Sequence, residues 1–212
     1  MIVTFGGIKG GCGKTTLATH IAHYRATLGK KVLLVDTDDG QWTASEWVEH
    51  REAKGVSTPW TTIILSGLSV RTQIQKLKDL YDDIYIDTSP RDSQSFRAAL
   101  TISDMLISPF HPKSYDIWTI SKLKRVISEI WAVNPSLAVY AVISLGDVKG
   151  LDNDEARKIL SESFPCLSTV ICQRKSFSNA SAQGLSVLEL KVKDKKAIQE
   201  IKDLHSAIYA LK

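Results

Sequence analysis

Short apolar runs alternate along this chain with longer segments in which apolar residues recur at helical spacing. The runs rich in β-branched residues predict strands at Ile2–Phe5, Lys31–Asp36, Ile84–Asp87, Met105–Ser108, Val139–Ser144 and Ser168–Cys172. The periodic segments predict one helix that Gly29 ends, and others at Gln41–Lys54, Val70–Tyr81, Tyr115–Trp131, Asn153–Phe164 and Lys195–Leu211. Alternation of this kind indicates an α/β fold with a mostly parallel, doubly wound sheet flanked by helices.

The bulk properties favour one ordinary globular unit. The least regular stretch, Gly55–Gly67, has room for an edge strand at Thr61–Leu65, and no linker or repeat divides the chain. We therefore expect residues 1–212 to form a single domain.

Met1 leads directly into a strand and no apolar run reaches the length of a membrane span, so we expect no signal peptide and a cytoplasmic location. Three cysteines in a reducing compartment predict free thiols.

The most informative stretch lies between the first strand and the first helix, where residues 9–16 read K-G-G-C-G-K-T-T. Glycines let backbone N–H groups approach phosphates, and a helix N-terminus favours negative charge. In such a loop Lys14 reaches the β- and γ-phosphates of a nucleotide, and the Thr15 hydroxyl ligates Mg²⁺. The sequence thus predicts a P-loop NTPase, with nucleotide contacts from Gly10, Gly11, Cys12, Gly13, Lys14, Thr15 and Thr16.

Two further strands end in carboxylates. Residues 32–38 read V-L-L-V-D-T-D, and residues 84–90 read I-Y-I-D-T-S-P. The carboxyl edge of an open α/β sheet is where ligands bind, so Asp36, Asp38 and Asp87 are candidates for the same site as the glycine loop.

Taken together, these motifs resemble those of the ParA/MinD family of ATPases. Ile8 occupies the first glycine position of the general phosphate-loop pattern, and Lys9 heads K-G-G-x-G-K-T, as in the deviant Walker A motif of that family. The segment Arg174…Ala180…Gly184…Val187…Glu189 resembles its C-terminal pattern. The resemblance runs from residue 1 to about residue 211 and is closest to the short, ParF-like ParA proteins of plasmid partition.

The resemblance implies roles for individual residues. Lys9 crosses a dimer interface to the partner's nucleotide, Asp36 and Asp87 help to hold Mg²⁺ together with Thr15, and Asp38 positions or activates the attacking water. With Lys14, Lys9 and Asp38 form the expected catalytic set. Two departures occur: Asp39-Gly40-Gln41 replaces the family's Pro-Gln, and Ser89 replaces the first proline after Asp87. Adenine contacts are expected from the loops after the Val139–Ser144 and Ser168–Cys172 strands.

The implied function is partition of plasmids or chromosomes. ATP and Mg²⁺ close a homodimer, the dimer binds nonspecific double-stranded DNA, and a small cargo- or centromere-bound activator of the ParB type stimulates hydrolysis. The expected location is nucleoid-associated.

Residues 170–212 hold eight basic and four acidic side chains. The candidate DNA contacts are Arg174, Lys175, Lys191, Lys193, Lys195 and Lys196, although a lysine run is equally typical of a solvated face. No helix-turn-helix segment precedes the first strand, so we expect no sequence-specific DNA reading.

Several alternatives stay open. The same ATPase could position another cargo, such as a protein organelle, a chemoreceptor cluster or conjugation machinery. A MinD-like membrane cycle is less favoured, because Glu200 and Asp203 interrupt the polar face of the last helix. Its apolar stripe (Ile198, Ile201, Leu204, Ile208 and Leu211) instead favours packing on the sheet. An iron–sulphur ATPase would need cysteines between Asp87 and Cys166, where none occurs. A metabolic P-loop kinase or ligase is the remaining alternative.

Overall fold

A seven-stranded, fully parallel β-sheet forms the centre of the molecule. The computed structural model describes residues 1–38, 40–112, 119–149 and 151–211. The strands are β1 (Ile2–Phe5), β2 (Val32–Asp36), β3 (Thr61–Ile64), β4 (Asp83–Asp87), β5 (Met105–Phe110), β6 (Ala138–Gly146) and β7 (Cys166–Cys172). They lie in the order β3-β2-β4-β1-β5-β6-β7. Each pair of neighbours is parallel, which confirms the predicted fold class.

The described residues contain eight α-helices that connect or follow these strands. They are α1 (Lys14–Thr27), α2 (Thr43–Ala53), α3 (Ser69–Leu77), α4 (Gln94–Leu100), α5 (Ile120–Trp131), α6 (Asp152–Ser161), α7 (Lys175–Ser181) and α8 (Lys195–Ala210). A 3₁₀ turn, Lys78–Leu80, follows α3 and completes most of the helix predicted at Val70–Tyr81. Residues 115–118 of the predicted helix Tyr115–Trp131 lie outside the described residues.

Two short helices were not predicted. Helices α4 and α7 have seven residues each, which is fewer than two full turns. A segment of that length displays little of the 3.6-residue period on which the sequence predictions depend. The edge strand predicted at Thr61–Leu65 is confirmed as β3, which lies at one end of the sheet.

Helices cover both faces of the sheet. Helices α1, α2, α7 and α8 share one apolar core that includes Leu17, Trp47, Phe177 and Ile201. On the other face, α4, α5 and α6 pack around β5 and β6, and α3 packs with α4 against β2 and β4. The apolar stripe of α8 lies within this arrangement, since Ile201, Leu204 and Ile208 are fully buried, whereas Leu211 is exposed. None of the helices in the described ranges has the length and apolar character that a membrane crossing requires.

The strand order fixes where a ligand can bind. The chain adds β2, β3 and β4 on one side of β1 and then continues on the other side with β5, β6 and β7. Loops from β1 and its neighbours consequently diverge at the carboxyl ends of the strands and leave a crevice there. The glycine loop and the strand-ending aspartates all lie at this edge.

Candidate functional site

The glycine loop connects the carboxyl end of β1 to the N-terminus of α1. Gly11 and Gly13 have φ angles of 73° and 89°, in the left-handed region that favours glycine. A Cβ at Gly13 would lie 2.8 Å from the Ser144 hydroxyl at the end of β6, so the loop also packs too closely there for a side chain. Because the first turn of an α-helix leaves its N–H groups without intrahelical partners, this loop and α1 can cradle an anion.

Beside the loop lies an open cleft of about 510 Å³. Its lining brings together four separate parts of the sequence: the glycine loop, the segment after β2, the segment after β4 and one residue of β6. The lining residues are Gly10, Gly11, Gly13, Lys14, Thr15, Thr16, Asp38, Gln41, Thr43, Thr88, Pro90 and Leu145. The cleft therefore contains most of the residues predicted for nucleotide binding, and Asp38 with them.

The two loop lysines are in contact. Lys14 is buried, and its Nζ donates to the main-chain carbonyl of Lys9 at 2.8 Å. Lys9 itself is half-buried at the start of the loop. This contact holds the Lys14 ammonium across the loop, at the cleft that its side chain lines.

Asp87 ends β4 and faces the first turn of α1. The Thr15 hydroxyl donates to Asp87 Oδ2 at 2.6 Å, and Asp87 Oδ1 is buried with no hydrogen-bond partner. Complete burial raises the pKa of Asp87 to about 7, an effect that the Thr15 hydrogen bond opposes and the nearby charge of Asp36 reinforces. A buried carboxylate with an unpaired oxygen is costly unless a cation or proton joins it.

Asp36 ends β2 beside Asp87, with which it is in register. Its Oδ1 accepts the N–H of Asp38 at 3.1 Å and its Oδ2 accepts the N–H of Ser45, in the first turn of α2, at 2.9 Å. Asp36 thus holds the start of α2 and the β2–α2 connection. Asp38 is also buried, and its carbonyl accepts the N–H groups of Gln41 and Trp42.

The donor set fits Mg²⁺. Hydroxyl and carboxylate oxygens are its usual protein ligands, and it keeps several waters when it binds with substrate phosphates. Thr15 and the unpaired oxygen of Asp87 supply one hydroxyl and one carboxylate. Within the described ranges, no three His, Cys, Asp or Glu side chains form a metal-holding group by themselves. These residues consequently suit a cation that phosphate and water also ligate.

A second cavity, of about 350 Å³, opens next to the glycine loop between the ends of β6 and β7. Ser144 and Leu145 line it from β6, Gln173 and Arg174 from the loop after β7, and Phe177 from α7. Leu145 has a φ of 56°, an unusual backbone conformation for leucine, at the point where this cavity meets the larger cleft. The cavity coincides with the position predicted for adenine contacts.

The residues predicted to contact DNA fall into two groups. Lys175, Lys191, Lys193, Lys195 and Lys196 are exposed. Arg174 is half-buried, and its Nε and Nη2 donate to Glu200 Oε1 at 2.9 and 2.6 Å. Arg174 is bound by Glu200 and lines the smaller cavity. Its position therefore favours a role beside the nucleotide over a contact with DNA. Lys193 donates to the carbonyl of Leu188.

Sequence reasoning missed the residues that support this site. Thr37 donates through its N–H and its hydroxyl to the carbonyl of Asp87, at 3.0 and 2.8 Å, and so connects the ends of β2 and β4. Ser45 supplies the N–H that Asp36 binds. The threonine between two aspartates in D-T-D could have signalled Thr37, whereas a backbone N–H leaves no mark in the sequence.

Comparison with known proteins is consistent with this geometry. The family model for the CobQ/CobB/MinD/ParA nucleotide binding domain matches residues 3–187. The maintenance of carboxysome distribution protein A of Halothiobacillus neapolitanus is 26% identical over 93% of this chain and 91% of its own length. The chromosome-partitioning ATPase Soj of Thermus thermophilus is 28% identical over 64% of this chain and 65% of its own length.

Among solved structures, a Borrelia burgdorferi protein assigned to plasmid partition and bound to AMPPNP superposes with a TM-score of 0.81. It is 20% identical, and the match covers 100% of this chain and 99% of that one. At this identity the superposition establishes a shared fold.

Proposed function

Because this chain belongs to the CobQ/CobB/MinD/ParA nucleotide-binding family, we propose that it is a Mg²⁺-dependent ATPase whose nucleotide state controls dimerisation and DNA binding. The observation that carries the proposal is a cleft lined by Lys14, Thr15 and Asp38. Directly behind Thr15 lies the buried carboxylate of Asp87, which accepts the Thr15 hydroxyl at Oδ2 and has no hydrogen-bond partner at Oδ1. We take residues 1–212 as a single ATPase domain.

The residues have distinct roles in this proposal. The backbone of residues 10–16 and the Lys14 ammonium bind the β- and γ-phosphates, which requires Lys14 to exchange the Lys9 carbonyl for phosphate oxygens. Thr15 and Asp87 hold the cation directly or through water, and Asp36 orders the surrounding segment. Mg²⁺, when bound with ATP, supplies neutralisation of phosphate charge. Asp38, in the same cleft, orients the attacking water.

The smaller cavity suits the adenine base and ribose. It adjoins the phosphate cleft through Gly13, Thr16 and Leu145, which belong to both linings. Phe177 gives it an apolar wall, and Gln173 and Ser178 bring polar groups. ATP is accordingly the proposed nucleotide.

Lys9 is the proposed link between two subunits. It lies at the head of the loop, and in a face-to-face dimer its side chain contacts the nucleotide of the partner subunit. Its role predicts that ATP, but not ADP, drives the protein from monomer to dimer. Hydrolysis then separates the subunits, and a cargo-bound activator of the ParB type sets its rate.

The proposed track is nonspecific double-stranded DNA. Exposed Lys191, Lys193, Lys195 and Lys196 belong to one continuous segment that ends in the first turn of α8. Dimerisation doubles this positive charge, and contacts with phosphates need no base recognition. We therefore propose partition of plasmid or chromosomal DNA in the cytoplasm, on the nucleoid.

A second cargo class is supported by one specific observation. The Halothiobacillus neapolitanus relative is similar along nearly its whole length, and its name assigns it to carboxysome distribution. Positioning of a protein organelle uses the same proposed ATPase and track with a different adaptor. Whether the co-purifying partner binds a DNA site or a protein shell distinguishes the two cargo classes.

Hydrolysis and dimerisation in site variants test the ATPase proposal. We expect Asp38→Asn to retain ATP binding and lose hydrolysis by about 100-fold, Lys14→Ala to lose ATP binding, and Lys9→Ala to bind ATP as a monomer. Lys31→Ala is the matched control, because Lys31 is an exposed lysine before β2, at the opposite edge of the sheet. ATP turnover and light scattering are the measurements. Unchanged dimerisation and turnover in Lys9→Ala would contradict the role of that lysine.

A further inference from the structure

Arg51, near the end of α2, is a fully buried arginine. Its Nη1 donates to Glu189 Oε2 at 2.6 Å and its Nη2 to Glu189 Oε1 at 2.9 Å, so the two side chains form a paired, two-bond contact. Nη1 also donates to the Gly184 carbonyl at 2.9 Å. The guanidinium lies 5.2 Å from the ring of Trp47 and 5.0 Å from that of Trp60.

The receiving segment, residues 184–189, is shaped to accept this arginine. Gly184 has a φ of 68°, and a Cβ there would lie 2.8 Å from the backbone nitrogen of Arg51. Glu189 Oε2 also accepts the N–H of Ser186 at 2.8 Å. Burial acts to raise the pKa of Glu189, but hydrogen bonds from His23 and Arg51 outweigh it and hold that pKa well below its usual range. The carboxylate therefore stays charged beside Arg51.

The other end of α2 is attached to the nucleotide site. Asp36 Oδ2 accepts the N–H of Ser45 in the first turn of this helix, and Asp36 Oδ1 accepts the N–H of Asp38. Helix α2 is 11 residues long, which corresponds to a rigid rod of about 16 Å. One rigid element thus has its first turn bound by a site carboxylate and its last turn bound by Glu189.

We infer that Arg51 is a positioning residue that couples the nucleotide site to the C-terminal segment carrying Lys191 and Lys193. The coupling rests on the proposed function, since it uses Asp36 both as support for the Mg²⁺–ATP site and as the anchor of α2. When Asp36 changes its hydrogen bonds on nucleotide binding, α2 shifts, and Arg51 carries the shift to Glu189 and Gly184. Lys193, which donates to the Leu188 carbonyl, lies directly beyond that contact.

The chain offers a matched control in a second buried ion pair. Arg25 Nε donates to Asp83 Oδ2 at 2.6 Å, and Asp83 is almost fully buried. Asp83 is the first residue of β4, so this pair lies at the opposite edge of the sheet from the nucleotide site. Arg51→Lys and Arg25→Lys both keep the positive charge and remove the guanidinium fork.

Amide hydrogen exchange of residues 184–193, with and without Mg²⁺–ATP, tests the coupling without depending on DNA binding or turnover. In the unmodified protein and in Arg25→Lys we expect nucleotide to change exchange in this segment. In Arg51→Lys we expect ATP affinity within about twofold of the unmodified protein but a nucleotide-dependent exchange difference reduced by about threefold or more. Glu189→Gln, which keeps the side-chain shape, should show the same loss and serves if Arg51→Lys does not fold.

Three results overturn the inference. They are no nucleotide-dependent exchange in residues 184–193 of the unmodified protein, an undiminished difference in Arg51→Lys or Glu189→Gln, and an equal loss in Arg25→Lys. The last would mean that lowered overall stability is the cause. These results can be distinguished from failure of the proposed function. Even if the protein binds no DNA in any nucleotide state, this exchange measurement can still be interpreted.

Discussion

At the scale of single residues, the site contains a buried carboxyl group whose charged form is unfavourable. Asp87 is completely buried, one of its oxygens has no partner, and its pKa is raised to about 7. In the nucleotide-free protein this carboxyl group is an electrostatic cost to folding at alkaline pH. We expect a cation that binds beside Thr15 and Asp87 to remove that cost.

Replacing Asp87 with asparagine should separate stability from function. We expect Asp87→Asn to stabilise the nucleotide-free protein by about 1–3 kcal/mol at pH 8, because it removes a buried charge and retains an acceptor for Thr15. The same variant should lose Mg²⁺-dependent ATP hydrolysis. Chemical denaturation without nucleotide, together with a turnover assay, measures both effects. A less stable Asp87→Asn protein would show that the ionised carboxylate is well satisfied without a cation.

Gly184 offers a second test at a single position. A side chain at Gly184 combines an unfavourable φ of 68° with a Cβ only 2.8 Å from the Arg51 backbone nitrogen. We expect Gly184→Ala to cost about 2–4 kcal/mol of folding free energy. Gly29→Ala is the control, since its φ of 77° is similar but no atom lies within 4 Å of the added Cβ, and it should cost about 1 kcal/mol. Equal losses in the two variants would mean that the Arg51 contact adds nothing.

At the scale of elements, the long periodic segments could be predicted from sequence and the short ones could not. Strand β2 and helix α8 have the continuous apolar run and the periodic apolar face that the patterns require. Helix α4 is short, although Ser93, whose hydroxyl accepts the N–H of Phe96, marks its start. Helix α7 lacks such a cap among its described contacts.

The residues of the candidate site also separate into those whose position the sequence predicts and those whose position it does not. The position of the glycine loop, Asp36, Asp38 and Asp87 at one edge of the sheet could be predicted, because each ends or follows a strand whose carboxyl end lies there. The pairing of Arg51 with Glu189 joins positions 138 residues apart, and local sequence contains no trace of it. The same holds for Thr37, whose partner carbonyl depends on strand order.

Helix α8 carries a titrating group that should affect acid stability. Burial, reinforced by the nearby charge of Arg25, lowers the pKa of His205 to about 4. The unfolded chain takes up this proton near pH 6.5, so the stability that His205 contributes is present above pH 6.5 and is lost as pH falls towards 4. The His205→Phe variant keeps a ring between Tyr24 and Tyr209. Between pH 7 and pH 4.5 we expect its free energy of unfolding to fall by about 1–3 kcal/mol less than that of the unmodified protein.

Denaturation series at several pH values measure this difference. Comparing variant with unmodified protein cancels the opposite contribution of Asp87, whose raised pKa favours the folded state as pH falls from 7. Parallel pH profiles for the two proteins would contradict the assignment of a buried, neutral His205.

At the scale of the whole molecule, one sheet connects a nucleotide site to a basic surface. The cleft lies at the carboxyl ends of β1, β2 and β4, whereas the exposed lysines precede and begin α8, which packs on β7 and α1. Helix α2 spans part of the distance, with Asp36 at one end and Glu189 at the other. A nucleotide-controlled binding surface is the function that we propose for this arrangement.

Binding to random-sequence duplex DNA, measured with ATP and with ADP over a salt series, tests the central claim most directly. We expect tight binding with ATP alone, with an affinity that falls steeply with salt. The double variant Lys195→Ala, Lys196→Ala should bind more weakly and with a shallower salt slope. Lys76→Ala, Lys78→Ala removes the same charge from an exposed part of the opposite face and should leave binding unchanged. DNA binding that is absent with ATP, or equal with ATP and ADP, would contradict the account.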